Sequence, residues 1–380
     1  MTINIPNPNI HPEVAVNQHL VPRCYMREWS YNGGRSVWTF NKEKQFNKEF
    51  PEKSVWKIES RKTKRINAID NFHDLKAGSL YMPEDALNEI FGFLKSYIIR
   101  LNGEQLDTLE KLNQRYSQYS DWEIMNQDGT SISYEYKEKI EKYLMNSRYT
   151  YIETEWARKY ENNWRGYISD IEQKVRILKD SISVGAKEPR EEAEITQADI
   201  DLLMKYLIIY DWRSFEGNEY FNEIVECIKH AIPELQNIEV PEKERIHLED
   251  ASVMDEIIHN IRLKYFIEFL KYDRGVIRAI AEEYKKNLEI CFCLTDSNHP
   301  FITSNTPAFV YTREDGMKEH ILVARPTMLV SLGKGSCNQF IVSKLSCNQV
   351  DKYNQGVAKH GELLILPTNN YNVSMLLNGN

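Results

Sequence analysis

From about 83 to 288, apolar residues recur at three- and four-residue spacing. That is the period of a helix face, not of a strand. Leu87, Ile90, Phe91, Leu94, Ile98 and Leu101 form the first stripe. Asn102-Gly103 ends or kinks that helix, and Leu106, Leu109 and Leu112 continue its pattern. A longer run is expected from about 133 to 183, with Tyr151, Trp156, Tyr160, Trp164, Ile168 and Ile171 on one side and charges on the others. Such a stripe suits a bundle helix or a long coiled-coil arm. Thr196-Gln197-Ala198-Asp199 reads as a helix start. Further helices are expected after it, between Gly217 and Pro233, and from about 253 to 288. A segment with this texture cannot lie flat in a sheet, so the middle of the chain is helical.

The two ends have a different texture. Asn32-Gly33-Gly34 is a turn signal, and the β-branched and aromatic run at 36–40 follows as a strand. After Leu288, short apolar runs lie at 289–294, 301–303, 308–311, 321–323, 328–332, 339–342 and 362–366. Turn residues separate them, as in an antiparallel sheet. A helix at about 347–360 interrupts the series, and 371–377 reads as a last strand. The expected fold class is α+β. A short N-terminal α/β segment (1–82) pairs with a mostly antiparallel C-terminal sheet (289–380), and the long helical region (83–288) is inserted between them.

No apolar run approaches the ~20 residues of a membrane-spanning helix. The polar start lacks the basic and apolar regions of a secretory signal, so a cytoplasmic protein with no membrane partner is expected. No C-x-x-C occurs among the cysteines, which include Cys24, Cys291, Cys293 and Cys337, and free thiols are expected. Metal-ligand and phosphate-loop spacings are also absent. No metal and no cofactor are expected. A net charge of −8 excludes attraction of the whole molecule to nucleic acid. Contact with nucleic acid is then limited to one local patch, Lys57, Arg61, Lys62, Lys64 and Arg65. The structural alternative for that patch is a solvated surface.

The tightest mixture of polar, ionisable and apolar residues is Gln18-His19-Leu20-Val21-Pro22-Arg23-Cys24-Tyr25-Met26. With Phe301-Ile302-Thr303-Ser304-Asn305-Thr306-Pro307, Arg325-Pro326-Thr327-Met328 and Val350-Asp351-Lys352-Tyr353-Asn354, it resembles a microbial domain-of-unknown-function family, number 4238. The first stretch is similar to that family's HYVP-x-x-Y-L signature, and the second to its F-I-T-S-D-N-P segment. Trp212-Arg213-Ser214 is a looser match. The resemblance runs through most of the chain in order, and it implies architecture more than activity. Asn305 and Thr306 stand where the family pattern has Asp and Asn. An acid acting there in relatives would be missing here.

His19 is the leading catalytic candidate, because imidazole exchanges a proton near neutral pH. Gln18 and Tyr25 are placed to hold it. Its structural alternative is a brace using both ring nitrogens. Thr303, Ser304 and Asn305 lie between two strands; they offer groups for an anion or a carbonyl oxygen, or they satisfy backbone in a turn. Ser304 is the second catalytic candidate, although G-x-S-x-G is absent. Arg213 is either an anion clamp or a cap on its helix. Asn354 either binds ligand or braces the sheet.

Two functions of different class follow. One is a histidine-dependent, metal-independent hydrolase or nuclease acting on phosphodiesters, for which microbial defence is a context by analogy only. The other is a ligand-binding or protein-interaction module that uses the Tyr/Trp-rich helices, including self-association into a homo-oligomer.

Overall fold

The structure is a computed structural model and describes residues 17–70, 72–75, 82–179, 182–185, 187–190, 195–214, 219–239, 252–335 and 340–377. Gly217 and Cys337 lie outside the described residues. The fold is α+β. The chain forms two compact units, each discontinuous in sequence. The first takes the described residues up to Gln18, then Asp70–Ala157 and Ile224–Gly275. The second takes His19–Ile69, Arg158–Glu223 and the chain from Val276 onward.

The first unit is mainly helical, with Glu84–Phe91, Tyr134–Tyr149, Tyr151–Trp156 and Val253–Tyr272 as helices. Ser252 and Asp255 close a reciprocal capping box on the last of these. Trp156 and Phe266 meet edge to face at 4.8 Å in its core. The helical stripe expected through Leu101 stops early. Ile98–Leu101 and Glu104–Gln105 are antiparallel strands, and Glu123–Met125 pairs with the former. Asn102 and Gly103 have φ of 50° and 86°, the left-handed pair that a two-residue hairpin turn requires. Leucine spacing imitates a helix there, but the Asn-Gly turn decides.

The second unit holds two sheets. Six strands lie in the order Ala308–Thr312, Lys318–Arg325, Met328–Lys334, Leu288–Leu294, Phe340–Lys344, Lys187–Arg190. All pairs are antiparallel except Phe340–Lys344 against Leu288–Leu294. Lys187–Arg190 sits at the edge, where Pro189 is tolerated. Four strands make the other sheet, in the order Thr303–Ser304, Leu363–Leu366, Ser36–Asn41, Glu59–Lys62. The N-terminal strand thus pairs with a C-terminal one, from Leu363 opposite Asn41 to Leu366 opposite Trp38. A last strand at 371–377 is not formed; Ser374–Leu377 is a single helical turn.

Helix Gln197–Arg213 starts at the Thr196/Asp199 capping box. Its residues from Tyr206 to Arg213 are all buried, so it is a core helix and not a surface one. Trp164 packs against Tyr206 and Tyr210 at 4.8 and 4.9 Å. Lys42 is buried and donates to the carbonyls of Ala358 (2.6 Å) and Gly361 (2.9 Å). It thereby places a cation at the C-terminus of helix Cys347–His360, where the helix dipole favours one.

Asn354 on that helix is fully buried. It accepts from Ile302 N at 3.0 Å and donates to Pro300 O at 3.2 Å and to the Tyr371 hydroxyl at 3.0 Å. Asn354→Ala strands those groups in a dry site. A destabilisation of about 2–3 kcal/mol is expected, read as a lower midpoint in urea with an unchanged slope.

Candidate functional site

His19 ends the short strand Asn17–His19. Leu20 N then bonds Asn67 O at 2.7 Å, which brings the ring to the segment carrying Thr63. Pro22 stands just before helix Arg23–Met26 with φ −56°. Its ring stiffens the entry and needs no N–H there. Arg23 and Cys24 therefore fall in the first turn beside His19. Arg213 arrives as the last residue of Gln197–Arg213. Glu161 arrives from a π-helical turn, Ala157–Glu161, ahead of helix Asn162–Lys179. Such a turn inserts an extra residue per ring and re-aims side chains, and it is common at functional sites. Arg213 Nη1 donates to Glu161 Oε1. His19, Arg23, Cys24, Glu161 and Arg213 all belong to the second unit.

His19 Nε2 lies 3.2 Å from the Thr63 carbonyl. A carbonyl oxygen only accepts, so Nε2 carries the hydrogen and Nδ1 keeps the lone pair. Burial, then the Arg213 guanidinium, push the His19 pKa below that of an ordinary imidazole, and Arg23 adds to this. The Thr63 carbonyl and Glu161 oppose the shift without reversing it. The ring is therefore neutral at neutral pH and able to accept a proton at Nδ1. Cys24 goes the other way. Burial and the Glu161 carboxylate push its thiol up to about 12, so it is not a thiolate nucleophile.

Arg213 is 1% exposed. Its guanidinium acts on His19 through its field and cannot clamp a ligand arriving from solvent. Arg23 is half-buried, and its Nε makes no hydrogen bond among the described residues. Lys62, Lys64 and Arg65 flank Thr63, and all three are exposed. Lys57 is exposed too, while Arg61 pairs with Glu59 at 2.9 Å. Strand Glu59–Lys62 is the edge of its sheet, and lysine at an edge also discourages strand-to-strand association.

The other expected site residues are braces. The Tyr25 hydroxyl is buried and donates to Val323 O at 2.6 Å, so the Thr303 hydroxyl, also at 2.6 Å, donates to it. Ser304 is buried; its hydroxyl donates to Thr306 O and accepts from Thr306 N, both at 3.1 Å. A Cβ on Gly361 would fall 2.2 Å from Ser304 Cβ, so the backbone closes over it. Asn305 Oδ1 accepts from Glu362 N (2.9 Å) and Leu363 N (3.0 Å). Gln18 belongs to the first unit. It donates to Asp74 and accepts the His73 amide hydrogen. In that unit His73 Nδ1 also lies 2.7 Å from Glu153.

Sequence reasoning missed Glu161 and Thr63. Glu161 looks like any charge on an amphipathic helix, and Thr63 contributes only its backbone. In the Tyr/Trp-rich helices Trp156, Trp164 and Trp212 are all buried.

Among the described residues no helix is long and apolar enough to cross a membrane. No curated protein and no solved structure matches the chain. Residues 17–362 match the family described as "Protein of unknown function (DUF4238)", and the chain belongs to that family.

Proposed function

We propose that this protein is a histidine-dependent hydrolase of phosphodiesters, with nucleic acid as substrate and no metal needed for the step. One observation supports it above the rest: a neutral His19, its Nδ1 left as acceptor, feels the field of guanidinium groups and is bonded to Thr63, whose segment is lined by surface cations. Water attacks phosphorus while His19 Nδ1 takes its proton. The P–O bond to the leaving group breaks, and the leaving oxygen takes a proton from the imidazolium or from solvent. Arg23 meets the charge that grows on the non-bridging oxygens. Lys62, Lys64 and Arg65 hold neighbouring phosphates. Arg213 and Glu161 are positioning residues. Glu161 fixes the guanidinium, and the guanidinium keeps His19 neutral. The aromatic helices offer less for the interaction-module reading, because their rings fill cores.

Labelled single-stranded RNA and DNA, with bis(p-nitrophenyl) phosphate as a minimal diester, test this directly. His19→Ala should lower the rate about 100-fold or more and change the melting temperature little, since among the described residues the ring makes one hydrogen bond, to the Thr63 carbonyl. A variant as fast as wild type, or activity lost on adding EDTA, defeats the reading.

The pH profile carries a second expectation. The base works when neutral, so the rate is full at neutral pH and falls as pH drops through a pKa below that of an ordinary imidazole. Arg213→Gln removes a cation that lowers this pKa, so the acid limb should move to higher pH. An unmoved limb would dissociate Arg213 from the base.

Salt dependence tests the surface cations. Replacing Lys64 and Arg65 together by Glu should weaken single-strand binding. The plot of log affinity against log salt should become shallower by about 1.4, from roughly 0.7 per phosphate contact.

A further inference from the structure

A cavity of about 560 Å³ opens in the second unit, lined by none of the groups assigned above. Its walls are the turn at 297–300, the turn at 326–327, helix Cys347–His360 and the segment 367–376. The braces described earlier build these walls without lining the space. Asn354 fixes Pro300 and Tyr371 from behind. Phe301 N bonds Pro326 O at 2.7 Å, and the Thr295 hydroxyl bonds His299 O at 2.9 Å. The cavity is thus pre-formed, and its volume lies within the range of small-ligand sites.

Its chemistry narrows the ligand. Pro300, Pro326, Pro367 and Leu376 supply apolar surface, and the Tyr371 ring adds an aromatic face to the lining. Asn298, Gln355 and Asn370 line it; each side chain carries both a donor and an acceptor, the combination that pairs with the edge of a base. His299 Nε2 stands 2.8 Å from Asp351 Oδ1 on the wall. Asp351 is the lining carboxylate, and no lysine or arginine lines the cavity among the described residues. A phosphate here would meet a carboxylate with no lysine or arginine on the wall to offset it. The geometry points to a binding site for an uncharged nucleoside, distinct from the His19 site and independent of the activity proposed there.

Calorimetric titration of the full chain with adenosine, guanosine, cytidine and uridine, each beside its 5′-monophosphate, tests the site. At least one nucleoside should bind with Kd below about 1 mM, and its monophosphate should bind more weakly. His299→Ala should weaken that binding about tenfold or more. Thr368 is exposed at the mouth, so Thr368→Trp should fill the cavity and abolish binding while leaving the melting temperature in place. The inference is overturned if no nucleoside binds wild type, if a monophosphate binds better than its nucleoside, or if both variants bind as wild type does. Binding of maltose with no nucleoside bound would also overturn it.

Discussion

The Tyr25 hydroxyl joins three parts of the second unit at one atom. It sits on the first helix after Pro22, receives a hydrogen bond from Thr303 of the four-stranded sheet, and donates to Val323 of the six-stranded sheet. Burial pushes its pKa upward, so the phenol stays protonated and remains a donor throughout the physiological range. Trp29 repeats the device one turn later, with Nε1 donating to Phe301 O at 2.9 Å. Chain segments far apart in sequence are thereby set against both sheets. Such contacts are non-local, so their ordering entropy must be overcome before they stabilise anything. Deep burial of the apolar neighbours Val21, Met26, Phe301 and Ile302 supplies the opposing term.

His19 depends on that anchoring. Its ring lies a few residues before Tyr25, and the stiff entry at Pro22 transmits the fixed position to the imidazole. The environment then selects the protonation state. Desolvation disfavours imidazolium, and nearby guanidiniums disfavour it further, while one carboxylate works against both. That carboxylate, Glu161, is bonded to Arg213, so much of its charge is already answered. The net result is a neutral imidazole in the field of positive charge, on which the proposed hydrolysis rests.

Much of the architecture is legible in the residues. The strand at Ser36–Asn41, the capping box at Thr196 and Asp199 and the helix Cys347–His360 all follow from local pattern. The hairpin at Asn102-Gly103 was hidden by leucines that continue a helical spacing through two short strands. The π-turn at Ala157–Glu161 leaves no mark in composition, because it is a change of backbone register inside a helical sequence. It also delivers the carboxylate bonded to Arg213, so the feature least visible in sequence supplies part of the proposed site.

The polar motif at Thr303, Ser304 and Asn305 shows why site and brace are hard to separate by sequence. Both need hydroxyls and amides at strand ends, since backbone left unpaired there must be satisfied. What separates them is access. Ser304 is closed in by the Gly361 backbone, and Asn305 replaces missing strand hydrogen bonds to Glu362 and Leu363. His299 and Asp351 present similar atom types at the wall of an open cavity. Their motif neighbours hold that wall in place from behind. Thr303, Ser304 and Asn305 thus act one layer beneath the surface, while His299 and Asp351 reach the cavity from a turn and from helix Cys347–His360.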